Sequence, residues 1–168
     1  MDARGVVTFM WNGGTMVVET KWFGTIEIGD DKVIIFEKGL LGLPEYKKFT
    51  LIFDLDKTEK KTIMWLQSLE DKEFALPVLE PGNIMTEYDP VVEDELLKPL
   101  GNIADAELLV LVTLTVPADI TKMTCNMKAP LIINTDNMKA CQLIADNDDY
   151  KVKYPIYEIL EKAKKGGE

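Results

Sequence analysis

Between Thr62 and Pro81 the chain reads TIMWLQSLEDKEFALPVLEP. Two apolar runs, Ile63–Leu66 and Phe74–Leu79, flank a short acidic connector, Glu70–Glu73. β-Branched and aromatic residues sit in both runs, so strand is favoured over helix, and the short polar link predicts a β-hairpin. Gln67 and Ser68 follow the first run directly, where a strand would end. Polar side chains there either tie down the turn, because buried backbone groups need partners, or contact a ligand or partner. Pro77 interrupts the second run and has no N–H to give a ladder, which predicts an edge strand or a bulge. An edge is also a place for a partner to dock.

The rest of the chain repeats the theme of short strands and punctuating turns. Val17 to Ile28 roughly alternates apolar and polar residues and predicts a half-exposed strand. Gly29-Asp30-Asp31 signals a turn before a strand at Lys32–Phe36. The GLLGLP segment at 39–44 is a tight loop and not a phosphate cradle, since no GK[ST] follows it. Its Leu40, Leu41 and Leu43 are expected either to cap a barrel end or to form an apolar partner patch. Phe49–Asp54 is the next strand, and Asp56–Lys61 a charged turn. After the central hairpin, Asp89 is placed to cap a short helix, with Pro90 at its first position and Glu93 at capping-box spacing. Pro99 and Gly101 stop that helix.

Leu108–Val116 (LLVLVTLTV) is the most apolar run and predicts a central strand buried on both faces. Thr121–Met127, Leu131–Asn134 and Met138–Ile144 complete the strands. Asn126 and Asn134 bracket the Lys128-Ala129-Pro130 turn and are expected to bond their own backbone. Ile156, Ile159, Leu160 and Ala163 recur at helical spacing after Pro155. Many short strands and two short helices, at about 89–98 and 155–165, predict an all-β barrel or sandwich.

A length of 168 residues suits one domain with a real core. The formal net charge is −10. Such acidity argues against direct nucleic-acid binding, which needs Lys and Arg to displace counterions. It favours a basic partner, or a role that repels nucleic acid from one. The charge is clustered: from Glu70 to Glu95 nine acids face Lys72 alone, a net of −8. Either solvation alone accounts for this cluster, or Glu70, Asp71, Glu73, Glu93, Asp94 and Glu95 build an acidic docking face. Glu93, Asp94 and Glu95 also suit the positive end of the expected helix.

Histidine is absent, which removes the usual general base, the Ser-His and Cys-His nucleophiles and the commonest metal ligand. Cys125 and Cys141 lack CxxC spacing, so no thiol zinc site is expected. Buried free thiols are the expectation for both. Asp146-Asn147-Asp148-Asp149 is too short for a calcium loop and lacks its glycine and distal glutamate. No metal, cofactor or catalytic residue is therefore assigned. No run approaches the ~18 apolar residues of a membrane helix. The first residues lack the basic and apolar regions of a secretory signal, so a cytoplasmic, non-membrane protein is expected.

Leu66-Gln67-Ser68 with Phe74-Ala75 and Pro81, Ile35-Phe36 with Gly39 to Phe49, and Asn126 to Asn134 make three blocks that together resemble the flagellar assembly factor FliW family. Leu66-Gln67-Ser68, Phe74-Ala75 and Pro81 look like its central motif. Ile35-Phe36 leading through Gly39-Leu40-Leu41-Gly42-Leu43-Pro44 to Phe49 resembles its N-terminal IxFxxGLxGFxxxxxF signature. Asn126-Met127-Lys128-Ala129-Pro130-Leu131-Ile132-Ile133-Asn134 resembles its NLxAPIxIN signature, followed by Gln142 and Tyr150. The blocks lie in order and span roughly Met16 to Tyr150. Residues 1–15 match none of the pattern and are read as an N-terminal extension to one domain over 16–168. Glu87-Tyr88 stands where the family often has Asp-Tyr, Pro77 where an aliphatic residue is usual, and Met127 where it has leucine.

The resemblance implies a compact, mostly antiparallel β-barrel that is a non-catalytic regulator, monomeric when free. It implies two partners, flagellin and the RNA-binding translational regulator CsrA, with capture of CsrA relieving repression of flagellin mRNA and flagellin reversing the switch. It carries Leu40, Leu41, Leu43, Gln67, Ser68, Phe74, Glu87, Tyr88, Asn126, Pro130 and Asn134 over as partner-binding residues. The competing readings are a small-ligand-binding barrel and a carboxylate-dependent hydrolase drawing on Asp54, Asp56, Glu80 or Asp89.

Overall fold

The computed structural model describes residues 14–52 and 63–166; Asp54, Asp56 and the charged turn expected at Asp56–Lys61 lie outside that range. The strands are β1 (Thr15–Thr20), β2 (Gly24–Gly29), β3 (Ile34–Phe36), β4 (Lys48–Ile52), β5 (Met64–Ser68), β6 (Ala75–Leu79), β7 (Leu108–Thr115), β8 (Thr124–Cys125), β9 (Leu131–Asn134), β10 (Lys139–Gln142) and β11 (Tyr154–Pro155). One α-helix, α1, covers Tyr157–Gly166.

The order β7-β6-β5-β4-β3-β10-β9 closes on itself through the β7–β9 pairing, giving a seven-stranded barrel. Every pairing in the ring is antiparallel except β3–β10. Alternation along the strands sends one set of side chains inward. Phe36, Phe49, Leu66, Val78, Leu111, Leu131 and Ile133 fill the interior, and Phe36 and Phe49 meet edge to face with centroids 5.4 Å apart. Among the described residues the barrel interior is thus a packed core.

The outer faces are covered as well. The β1–β2 hairpin forms a separate two-stranded sheet whose Val18 packs with Leu69 and Val33. The long β6–β7 crossover lays Val92, Leu97, Leu100 and Ile103 over Ile132, Cys141 and Leu143. Helix α1 brings Leu160, with the preceding Ile156, against Leu79, Val112, Leu114 and Cys125. In β7, Leu111 points into the barrel and Val112 into that outer cluster, so the middle of the strand is buried on both faces, as its apolar run predicts.

The predicted central hairpin is present, with Met64 opposite Val78 and Gln67 opposite Ala75. Four expectations are corrected. Val17–Ile28 is two strands and not one, because the chain reverses at Lys21–Phe23, with Gly24 at φ +68 closing the loop. Strand β6 is interior and not an edge: it pairs with β5 on one side and, through Val78 and Leu79 only, with β7 on the other. Ser68 N–H bonds Phe74 C=O, so antiparallel alternation turns the backbone of Pro77 away from β5. Its missing N–H falls just before the β7 ladder begins.

The third correction concerns the first short helix, a 3₁₀ segment at Asp94–Leu100 that does not open at Asp89. Asp89 N–H bonds the Tyr150 hydroxyl at 2.7 Å, Val91 N–H bonds Asn147 Oδ1 at 2.7 Å, and Asn147 Nδ2 bonds the Asp89 carbonyl. These long-range bonds hold residues 89–91 extended and pre-empt the local cap. Finally, the Thr121–Met127 strand shrinks to Thr124–Cys125, because Ile120–Lys122 forms a 3₁₀ turn capped by Asp119.

Candidate functional site

Strand direction places the three sequence blocks at one end of the barrel. Strands β3 and β10 run toward it, β5 ends there, and β4, β6 and β9 start there. The 39–46 loop, the 68–74 turn and the 126–130 turn therefore share one rim, and hydrogen bonds link them.

The 68–74 turn is built from the inside. Gln67 is fully buried, and its Nε2 donates to the carbonyls of Ser68 at 3.0 Å and Phe74 at 3.1 Å. Ser68 Oγ accepts from the N–H groups of Glu70 and Asp71, both at 3.0 Å. Asp71 Oδ1 accepts from Glu73 N–H and its Oδ2 from the Tyr46 hydroxyl, again at 3.0 Å. Glu70 Oε1 accepts from the N–H groups of Lys47 and Lys48 at 2.6 and 2.8 Å. The Phe74 ring packs on Tyr46, centroids 4.4 Å apart. Gln67, Ser68, Glu70 and Asp71 thus serve the turn, and the acids among them accept from backbone N–H groups and the Tyr46 hydroxyl.

The 39–44 loop divides its leucines. Leu40 is buried with the barrel core and plugs the end, whereas Leu41 and Leu43 stay 48% and 36% exposed. Of the two expectations for this loop, Leu40 meets the barrel-end cap, with its backbone paired to Leu43. Gly39 sits at φ +70, and a Cβ there would collide with the Pro44 backbone, so the tight return toward Pro44 needs glycine. Gln142 joins this loop to the third block: its Oε1 accepts from Leu41 N–H at 3.0 Å and its Nε2 donates to Ala129 C=O at 3.2 Å.

In the third block, Asn126 Oδ1 accepts from Lys128 and Ala129 N–H, and buried Pro130 offers its carbonyl to Leu143. Asn134 is not at this rim. It lies buried at the other end of β9, donating to the Leu100 carbonyl at 3.0 Å and accepting from Asp136 N–H. Half-buried Tyr88 stacks on Tyr150 at 4.8 Å and donates to the Met127 carbonyl at 2.8 Å; burial, then the neighbouring Tyr150, raises its phenol pKa.

The remaining acids face outward. Glu73 meets Lys21 at only 3.9 Å, Glu87 bonds nearby Thr86, and Glu93, Asp94 and Glu95 are exposed, with Lys98 on Glu95 at 2.9 Å. Glu80 and Asp89 are exposed too. Cys125 and Cys141 are buried free thiols, as expected. Among the described residues no group of three or more Cys, Asp or Glu is placed to hold a metal, and no helix is long and apolar enough to cross a membrane. Sequence reasoning missed Tyr46 and Asn147 as organisers. Tyr46 lies inside the first block, and Asn147 in a run of turn residues, but their partners are distant in the chain.

A family model described as FliW protein matches residues 17–156. The chain is 55% identical over 148 residues to the flagellar assembly factor FliW of Lachnospira eligens, covering 88% of this chain and 98% of that protein. It is 46% identical over 151 residues to the protein of the same name from Lachnoclostridium phytofermentans, covering 89% and 97%. A crystal structure of the flagellar assembly factor FliW superposes with a TM-score of 0.74 at 29% identity, over 84% of this chain and 96% of that one.

Proposed function

The chain belongs to the FliW family, and from that premise we propose that it is a non-catalytic flagellar assembly factor that binds flagellin and the translational regulator CsrA by turns. Free of flagellin, it captures CsrA and relieves repression of flagellin mRNA; occupied by flagellin, it releases CsrA. The observation that carries this reading beyond the family name is the exposed acidic stretch of the β6–β7 crossover. Glu87, Asp89, Glu93, Asp94 and Glu95 project to solvent in a chain of net charge −10. An RNA-binding regulator presents basic surface, which such a stretch complements. Acids docked beside that surface also repel the phosphate backbone, each by on the order of 1 kcal/mol at short range.

Calorimetric titration of the purified protein against flagellin and against CsrA, at two salt concentrations, tests the reading. The expected result is binding to both, with the CsrA interaction weakening as salt rises. Binding to neither would sink it.

A further inference from the structure

Among the described residues, β2 is the long strand edge that the fold leaves open. The barrel itself has no edge, because β7 closes on β9. Strand β11, outermost beside β8, is two residues long and ends in Pro155, which blunts it. The β1–β2 hairpin carries no such protection. Its register runs unbroken from Thr15 opposite Gly29 to Thr20 opposite Gly24, and β2 (GTIEIG) contains no proline, lysine or bulge.

The ladder of the hairpin decides which groups this edge presents. Asp30 N–H bonds the Gly14 carbonyl at 2.9 Å, which makes Gly14 and Asp30 a hydrogen-bonded pair. Antiparallel alternation then points the N–H and C=O groups of Thr25 and Glu27 away from β1. No bond among the described residues takes those groups. On the other side of the hairpin, Lys21 N–H bonds the Lys72 carbonyl at 3.0 Å. The β1 side therefore faces the 68–74 turn, and β2 is outermost.

The two faces beside the edge differ in chemistry. Ile26 and Ile28 are half-buried on the face that packs with Val18, Leu69 and Val33. Thr25 and Glu27 are exposed on the opposite face, where Glu19 lies across from Thr25. Asp30 and Asp31 follow the strand end and are exposed as well. Lys21 is engaged elsewhere, 3.9 Å from Glu73 and 4.9 Å from the Trp22 ring centroid. An added strand alternates its side chains in the same way, so one set lands beside Ile26 and Ile28 and the other beside Glu27.

We propose that β2 is an acceptor edge for an extended partner segment in which β-branched apolar residues alternate with lysine or arginine. Main-chain bonds to Thr25 and Glu27 supply the affinity, and the Glu27 side chain selects the basic face. A second copy of this chain fits less well. Antiparallel pairing of β2 with itself about Ile26 sets the two Glu27 carboxylates on one diagonal of the same face. The edge is separate from the acidic crossover and goes beyond the partner switch.

The probes are two fluorescein-labelled synthetic peptides, one alternating lysine with valine and one alternating glutamate with valine. Titrated against the full chain by fluorescence anisotropy, the lysine peptide is expected to bind about tenfold more tightly than the glutamate peptide. Glu27→Lys should reverse that preference. Glu27→Pro should abolish binding of the lysine peptide and keep the thermal midpoint, because the N–H it removes points away from β1. Equal binding of the two peptides, or a Glu27→Lys variant that keeps the parent's preference, would overturn the proposal. So would a folded Glu27→Pro variant that binds like the parent. Self-association of the free protein that Glu27→Pro abolishes would overturn it too, by making a second copy the occupant.

Discussion

Two acidic regions of this molecule, the 68–74 turn and the 87–95 stretch of the crossover, look alike in sequence and differ in every physical respect. In the turn, Glu70 and Asp71 are surrounded by N–H groups and the Tyr46 hydroxyl, and Asp71 is nearly buried. In the crossover, Glu93, Asp94 and Glu95 face solvent. Carboxylates enclosed by donors stabilise a fold, while solvated ones mainly set the field that a partner meets. A run of acids in a sequence does not distinguish the two.

The comparison breaks most readily at Gln67. Replacing it by leucine takes the Nε2 donor from the buried Ser68 carbonyl, while Phe74 C=O keeps Ser68 N–H, and should cost about 3 kcal/mol, read as a lower urea midpoint at unchanged slope. A loss near zero would mean that the turn holds itself. Asp71→Ala should follow at about 2 kcal/mol, since bonds to a charged group are worth more than neutral ones. Tyr46→Phe removes one of the same bonds, and the pair should be non-additive in a double-mutant cycle.

The crossover predicts the opposite pattern. Neutralising Glu93, Asp94 and Glu95 to glutamine should shift stability by no more than about 0.5 kcal/mol per site. The same variant should flatten the salt dependence of CsrA binding; a steep slope that persists would move the electrostatic contact elsewhere.

The effect that vanishes at neutral pH concerns buried groups that carry no charge in the fold. Burial pushes the Cys125 thiol up to about 12 and Cys141 to about 11, against an ordinary value of 9.0. A folded pKa raised above the unfolded one gives a contribution that is intact below pH ~9 and lost as pH climbs through the folded values. Stability should therefore fall between pH 9 and 11 through these thiols, and Cys125→Ala with Cys141→Ala should flatten that part of the curve. Unfolding profiles of both proteins that fall equally over this range would assign the loss to other groups.

The barrel was legible because period-2 patterning and turn residues are local signals. The hairpin at 64–79, the doubly buried middle of β7 and helix α1 all follow from short windows of sequence. The asparagines were legible for the same reason: Asn126 bonds N–H groups two and three residues on. The failures share the opposite cause. Asp89-Pro90 carries a good local helix start, yet Asn147 and Tyr150 reach it from far along the chain. Leu40 and Leu41 are adjacent and identical, and only the fold decides which one enters the core.

By itself the sequence determined that this chain makes short, mostly antiparallel strands, that it is strongly acidic, and that its three blocks belong together. Local propensity and composition are properties of the chain and survive without a fold. Tertiary structure alone decided the closure of β7 on β9, the gathering of the three blocks at one rim, and the separation of structural from solvent-facing acids. Each of those depends on hydrogen bonds between residues far apart in sequence, which exist only once loop closure has brought the partners within reach.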